Sequence, residues 1–148
     1  MTKPSWIEQI IFQVVLPLPP SANKRMTVSN TGQMINSKLT RQWKQRASTL
    51  LLKAKADQVL ATLGQTPYKL ALHLDCWFDS LSVMAKNDVD NRIKSAQDVI
   101  TTAMGIDDSH VYRTSAQKAG VDNWNPACIK VTVLALIGNV TEGLGNAY

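Results

Sequence analysis

Asp88, Asp90, Lys94, Asp107 and Asp108 fall within 21 residues of one another, in the segment NDVDNRIKSAQDVITTAMGIDDSHV. Asp88 and Asp90 are two positions apart, and in an extended segment residues i and i+2 point to the same face. Two carboxylates so placed repel each other by an amount set by the local dielectric. A bound divalent cation removes that repulsion. Oxygen-only ligands of this kind suit Mg²⁺ or Mn²⁺, not zinc or copper. Lys94 lies four residues after Asp90 and four before Asp98. It has the placement of a cation aimed at a phosphate, where it would stabilise developing negative charge. Each feature also has a plainer use. Asp90 could cap the following helix, Lys94 could form an ordinary i,i+4 ion pair, and Asp107-Asp108 could be polar loop residues.

The surroundings of the cluster sharpen the question. The chain has 148 residues and a net charge of +5. No Asp or Glu occurs between Glu8 and Asp57, while eight of the 16 Lys and Arg residues lie in that gap. Seven of the 11 acids lie between Asp75 and Asp108. A basic N-terminal half is the electrostatic footprint expected of a nucleic-acid binder. An acidic centre within it points to carboxylates used on a cation. The reading to test is therefore a metal-dependent enzyme acting on a polyanion. Asn23, Lys24 and Arg25, on a proline-stiffened loop, and Lys38, Arg41 and Lys44 are the candidates for phosphate contacts. The same residues could instead only solvate their surface.

The elements that must position these groups follow from periodicity. Ile7 to Leu16 reads as a strand, ended by the prolines of PLPP, which cannot donate to a ladder. Met26 to Ile35 reads as a hairpin around Asn30-Thr31-Gly32. A helix is predicted from the N-cap Ser37 to about Leu63, with Gly64 as its stop. Its core face is Leu39, Trp43, Ala47, Leu50, Leu51, Ala54 and Val59. Tyr68 to Asp79 reads as a strand with Leu70, Leu72, Leu74, Cys76 and Phe78 on one side, and Ser80 to Lys86 as a loop. A second helix is predicted from about Asn91 to Met104, ended by Gly105. Its buried stripe is Ile93, Ala96, Val99, Ile100, Ala103 and Met104. Strands over Val111 to Lys118 and Cys128 to Leu136 complete the order β-ββ-α-β-α-β-β. The expected fold is one α+β domain over residues 1–148, a mixed sheet with two main helices packed on it and a flexible tail from about 138.

No run is long enough to span a membrane, and Glu8, Gln9 and Gln13 interrupt the apolar start as a leader would not. Cys76 and Cys128 have no CxxC spacing, so buried reduced thiols in a cytoplasmic protein are expected. His73 reads as a strand residue, and His110 adjoins the Asp107-Asp108 pair. Trp43 fits the core, while Trp124 sits in a loop and could stack on DNA.

A helix of about 14 residues spans roughly 20 Å, whereas the ligands of one ion lie within about 2–2.5 Å of it. Asp88 and Asp90 stand at one end of such a helix, Asp107 and Asp108 at the other. A two-fold dimer with antiparallel helices would bring each end to the opposite end of its partner. Asp107 or Asp108 would then complete the partner chain's site.

The run Asp88-x-Asp90-Asn91-x-x-Lys94-x-x-x-Asp98, followed by Gly105-x-Asp107-Asp108-Ser109-x-Val111, resembles the RusA family of Holliday-junction resolvases. The loop PLPPSANKR is similar to that family's Pro-Pro-Ser-x-Asn loop after its first strand. The resemblance implies a homodimeric, Mg²⁺-dependent endonuclease that resolves four-way DNA junctions by paired nicks, with Mn²⁺ as a substitute ion. It implies Asp88, Asp90 and Asp108 as metal ligands, Lys94 as a catalytic cation and Asp107 in support. This chain departs from the pattern in three places. Arg92 stands where an apolar residue is usual, so the helix start is expected to be more exposed. The link from the helix to Asp107-Asp108 is a residue shorter than in some relatives. Met26 stands near where aromatic residues are expected. Two readings compete with junction resolution. A non-catalytic architectural DNA binder would explain the basic half but not the aspartates, and a Mg²⁺-dependent nuclease for other branched DNA would explain both.

Overall fold

The computed structural model describes residues 6–20, 26–54, 69–123 and 125–138, and at Met26, Ile35, Asn36, Asp90, Asn91 and Met104 the backbone. The elements are β1 (Ile7–Pro17), β2 (Met26–Val28), β3 (Met34–Asn36), α1 (Lys38–Lys53), β4 (Lys69–Phe78), α2 (Leu81–Lys86) and α3 (Asp90–Met104). A 3-10 turn (Asp108–His110), β5 (Val111–Val121) and β6 (Cys128–Ile137) follow. The main sheet runs β1-β6-β4-β5, and β2 and β3 form a separate hairpin. β6 is antiparallel to β1 and β4, while β4 and β5 are parallel. The fold is the expected α+β arrangement on a mixed sheet, with a third helix in addition.

The core sits between one sheet face and two helices. β4 buries Leu70, Leu72, Leu74, Cys76 and Phe78, as its alternation predicts. Val131 of β6 opposes Val14 on one side and Leu74 on the other. Trp43, Ala47 and Leu51 of α1 and Ala96, Val99 and Ile100 of α3 close over this face. Ser37 caps α1, its hydroxyl accepting from the Thr40 N–H at 3.2 Å. The Trp43 indole donates to the Pro17 carbonyl at 2.7 Å, which fixes α1 to the end of β1. Burial pushes the Cys76 thiol up to about 11. Cys128 registers with Trp77, the neighbour of Cys76, so the two cysteines point to opposite sheet faces. Cys128 is only half-buried.

The structure corrects several expectations. Ser80 to Lys86 is not a loop, because Ser80 caps the six-residue helix α2 by accepting from the Val83 N–H. So short a helix gives too few turns for periodicity to reveal it. In α1, Leu39 is 56 % exposed while Thr40 is fully buried. Thr40 shares a hydrogen bond with Ser37, so its hydroxyl can lie inward at the cap. Ala54 ends α1 on the exposed side. Val59, Leu63, Gly64, Pro67, Tyr68, Trp124 and the tail from 139 lie outside the described residues.

Candidate active site

The crossover from β4 to β5 places the acidic residues. After Phe78 the chain turns through α2, passes Asn87, Asp88 and Val89, and descends as α3. It re-enters the sheet at Val111, which registers with Leu70 at the start of β4. Asp88 and Asp90 therefore lie at the carboxyl end of β4, and Asp107 and Asp108 at the opposite end of the sheet. The 15 residues of α3 span about 22 Å between them. In open α/β sheets ligands gather outside the carboxyl ends of parallel strands, which is the Asp88 end.

Asp88 is exposed. The N-cap of α3 is Val89, which has no side-chain acceptor, so Asp90 is the first helical residue rather than its cap. An acid in the first turn is favoured by the helix dipole, whatever else it does. The side chain of Asp90 lies outside the described residues. Lys94 is 62 % exposed, and its Nζ lies 3.2 Å from Asp98 Oδ1, so the i,i+4 pair forms. At the far end, Gly105 adopts a left-handed φ of 66° and stops α3. The Ile106 N–H reaches the Thr101 carbonyl at 2.9 Å and the Gly105 N–H reaches Thr102 at 3.2 Å. Asp107 caps the 3-10 turn, its Oδ1 accepting from the Ser109 N–H at 3.0 Å. That backbone bond, then the Ser109 hydroxyl and nearby His110, hold the Asp107 carboxyl below the usual carboxylate range. Asp108 opens the turn with an exposed side chain.

Among the described residues no three His, Cys, Asp or Glu side chains converge as a metal site. Asp88 and Asp108, both exposed, stand at opposite ends of α3. The candidate ligands Asp88, Asp90, Asp107 and Asp108 are all carboxylates, a donor set that would fit a hard divalent cation.

Arg92 behaves differently from the sequence-based expectation. Arg92 itself does not stand open to solvent. The guanidinium is half-buried and donates to the Pro19 carbonyl and to Asn87 Oδ1. Burial lowers its pKa, with the Cys76 thiol nearby. Pro19 is itself fully buried. The proline segment and the loop before Asp88 are therefore tied together by a side chain whose departure from an apolar residue was the only visible sign. Asn87 also donates to the Val83 carbonyl at 2.7 Å and so closes α2.

Lys38 and Arg41 are exposed on α1 and Lys44 is half-buried, while Asn23, Lys24 and Arg25 lie outside the described residues. His73, in β4, bonds Ser115 at 2.7 Å and Asp75 at 3.1 Å, on the sheet face away from α1 and α3. His110 ends the 3-10 turn. Among the described residues no helix is long and apolar enough to cross a membrane.

A protein-family model described as Endodeoxyribonuclease RusA matches residues 17–133. No curated protein matches the chain. Solved structures with some likeness include the bifunctional IspDF from Campylobacter jejuni, at 11 % identity and a TM-score of 0.34, over 91 % of this chain and 44 % of that one. The CDP complex of IspF from Plasmodium falciparum is another, at 15 % identity and a TM-score of 0.35, over 89 % of this chain and 93 % of that one. This chain spans under half the length of the first. Likeness this distant assigns neither fold nor chemistry.

Proposed function

The chain belongs to the RusA family of endodeoxyribonucleases, and from that premise we propose that it resolves four-way (Holliday) DNA junctions, hydrolysing two phosphodiester bonds symmetrically as a Mg²⁺-dependent two-fold homodimer. The observation that carries the reading is the separation of the acids by about 22 Å of α3. Asp88 and Asp90 of one protomer would hold the ion together with the partner's Asp108. Asp107 supports the turn that presents Asp108. When bound, a divalent ion lowers the pKa of a water to make a nucleophile and neutralises phosphate charge. Lys94, one turn into α3 from Asp90, stabilises negative charge on the phosphate or the leaving oxygen. Its pair with Asp98 keeps it on that face. The basic residues of α1, with Asn23, Lys24 and Arg25, bind the DNA backbone without reading sequence. Two equivalent sites on a two-fold axis match the pseudo-symmetry of a four-way junction.

The test is incision of labelled four-way junction, flap and plain duplex, with and without Mg²⁺. Junction-selective, Mg²⁺-dependent cutting is expected. Asp90→Asn should abolish cutting and leave junction binding intact. Binding without incision by the unaltered protein would favour an architectural role. Equal cutting of all three substrates would favour a general nuclease.

A further inference from the structure

Arg92 joins two segments that are distant in sequence and adjacent at the Asp88 end of the sheet. Its two terminal nitrogens donate to a backbone carbonyl of the proline segment, at Pro19, and to the side chain of Asn87, the residue before Asp88. The two acceptors are 68 positions apart in the chain. A planar guanidinium can serve two acceptors in fixed geometry, and a lysine ammonium in its place cannot reproduce that fork. Both anchors are firm. Pro19 is fully buried. Asn87 is held from its other side, its backbone N–H and its Nδ2 both bonding the Val83 carbonyl of α2. Arg92 is itself in the first turn of α3, the turn that opens with Asp90. One side chain therefore sets the first turn of α3, the Asn87-Asp88 loop and the proline segment relative to one another.

We propose that Arg92 is a positioning residue for the nuclease reaction, acting through Asn87 to hold Asp88 in register with Asp90, and through Pro19 to hold the proline segment against that pair. This rests on the metal-site reading of Asp88 and Asp90. Groups that orient metal ligands typically change metal affinity or activity by about 10–100-fold when removed.

The experiment uses the full-length protein. Mn²⁺ binding is measured by calorimetry, junction binding by titration in Ca²⁺, and single-turnover incision in Mg²⁺, for Arg92→Leu, Arg92→Lys, Asn87→Ala and Asp90→Asn. Arg92→Leu and Asn87→Ala should each weaken Mn²⁺ binding and slow incision about 10–100-fold, with junction affinity changed less than about threefold. Arg92→Lys should fail to restore either. The Arg92→Leu/Asn87→Ala double variant should be no worse than the poorer single, because the two act through one link. Arg92 variants that melt earlier but keep unaltered Mn²⁺ affinity and incision would overturn the proposal and leave Arg92 a structural residue. If Arg92→Leu does not fold, Asn87→Ala decides alone, and wild-type Mn²⁺ binding in that variant overturns the proposal. Should Asp90→Asn also keep full incision and Mn²⁺ binding, the metal-site reading itself fails, a result separable from the first.

Discussion

Lys94 can be read two ways, and the structure realises the plainer one without excluding the other. Its Nζ pairs with Asp98 at 3.2 Å, yet the lysine is 62 % exposed, so the pair contributes at most about 0.5 kcal/mol. If the pair were its only purpose, Lys94→Ala and Asp98→Ala would shift the melting temperature by similar small amounts and leave incision alone. The catalytic reading predicts otherwise. Lys94→Ala should lower the single-turnover rate by about 100-fold or more, in the range seen when one electrostatic donor is lost from an active site. Stability should change by less than about 0.5 kcal/mol, checked by urea unfolding. Asp107 and Asp108 also part company at this scale. Asp107 is engaged with the Ser109 N–H, whereas Asp108 presents an exposed carboxylate from the next position.

α3 is the element on which the account turns, and its end is set by one residue. Gly105 has φ of 66° and open space where a Cβ would sit. Gly105→Ala should therefore cost about 1–2 kcal/mol from backbone conformation alone, without a clash. Thermal melting would show a cooperative transition at lower temperature, and a melting point equal to wild type would contradict the left-handed stop. Most of this element was legible in the sequence. The stripe of Ala96, Val99 and Ile100 and the glycine stop are local patterns with a single reading. β4 was legible for the same reason. The helix α2 was not, because six residues carry too little periodicity. Nor was the clamp from Arg92, because its acceptors, Pro19 and Asn87, are brought near only by the fold. The acidic residues proposed as the site stand out in the sequence as residue types and spacing. Their division between two ends of the sheet needed the length of α3, which the sequence also supplied.

At the scale of the whole molecule the charge is segregated. Along the chain, eight cations without an acid between Glu8 and Asp57 precede an acidic centre. Junction affinity should accordingly fall steeply with salt, with a log–log slope near −0.9 per phosphate contact. Replacing Lys38, Arg41 and Lys44 with alanine should flatten that slope by about two to three, measured by titration at several salt concentrations. An unchanged slope would show that these residues only solvate α1. The proposed two-fold dimer would bear on the chemistry as well as on the substrate, because Asp88 and Asp108 of one protomer stand at opposite ends of α3, about 22 Å long.

That separation gives the most direct test. Asp90→Asn and Asp108→Asn protomers are prepared, shown to be inactive alone, then mixed, allowed to exchange and presented with a four-way junction and Mg²⁺. A site shared between chains leaves one intact site in each mixed dimer, formed by Asp88 and Asp90 of the Asp108→Asn chain and Asp108 of the Asp90→Asn chain. Single nicks at the junction, without paired resolution, are the expected result. Mixed dimers that form and leave every strand uncut would contradict it, and would place each set of carboxylates within its own chain.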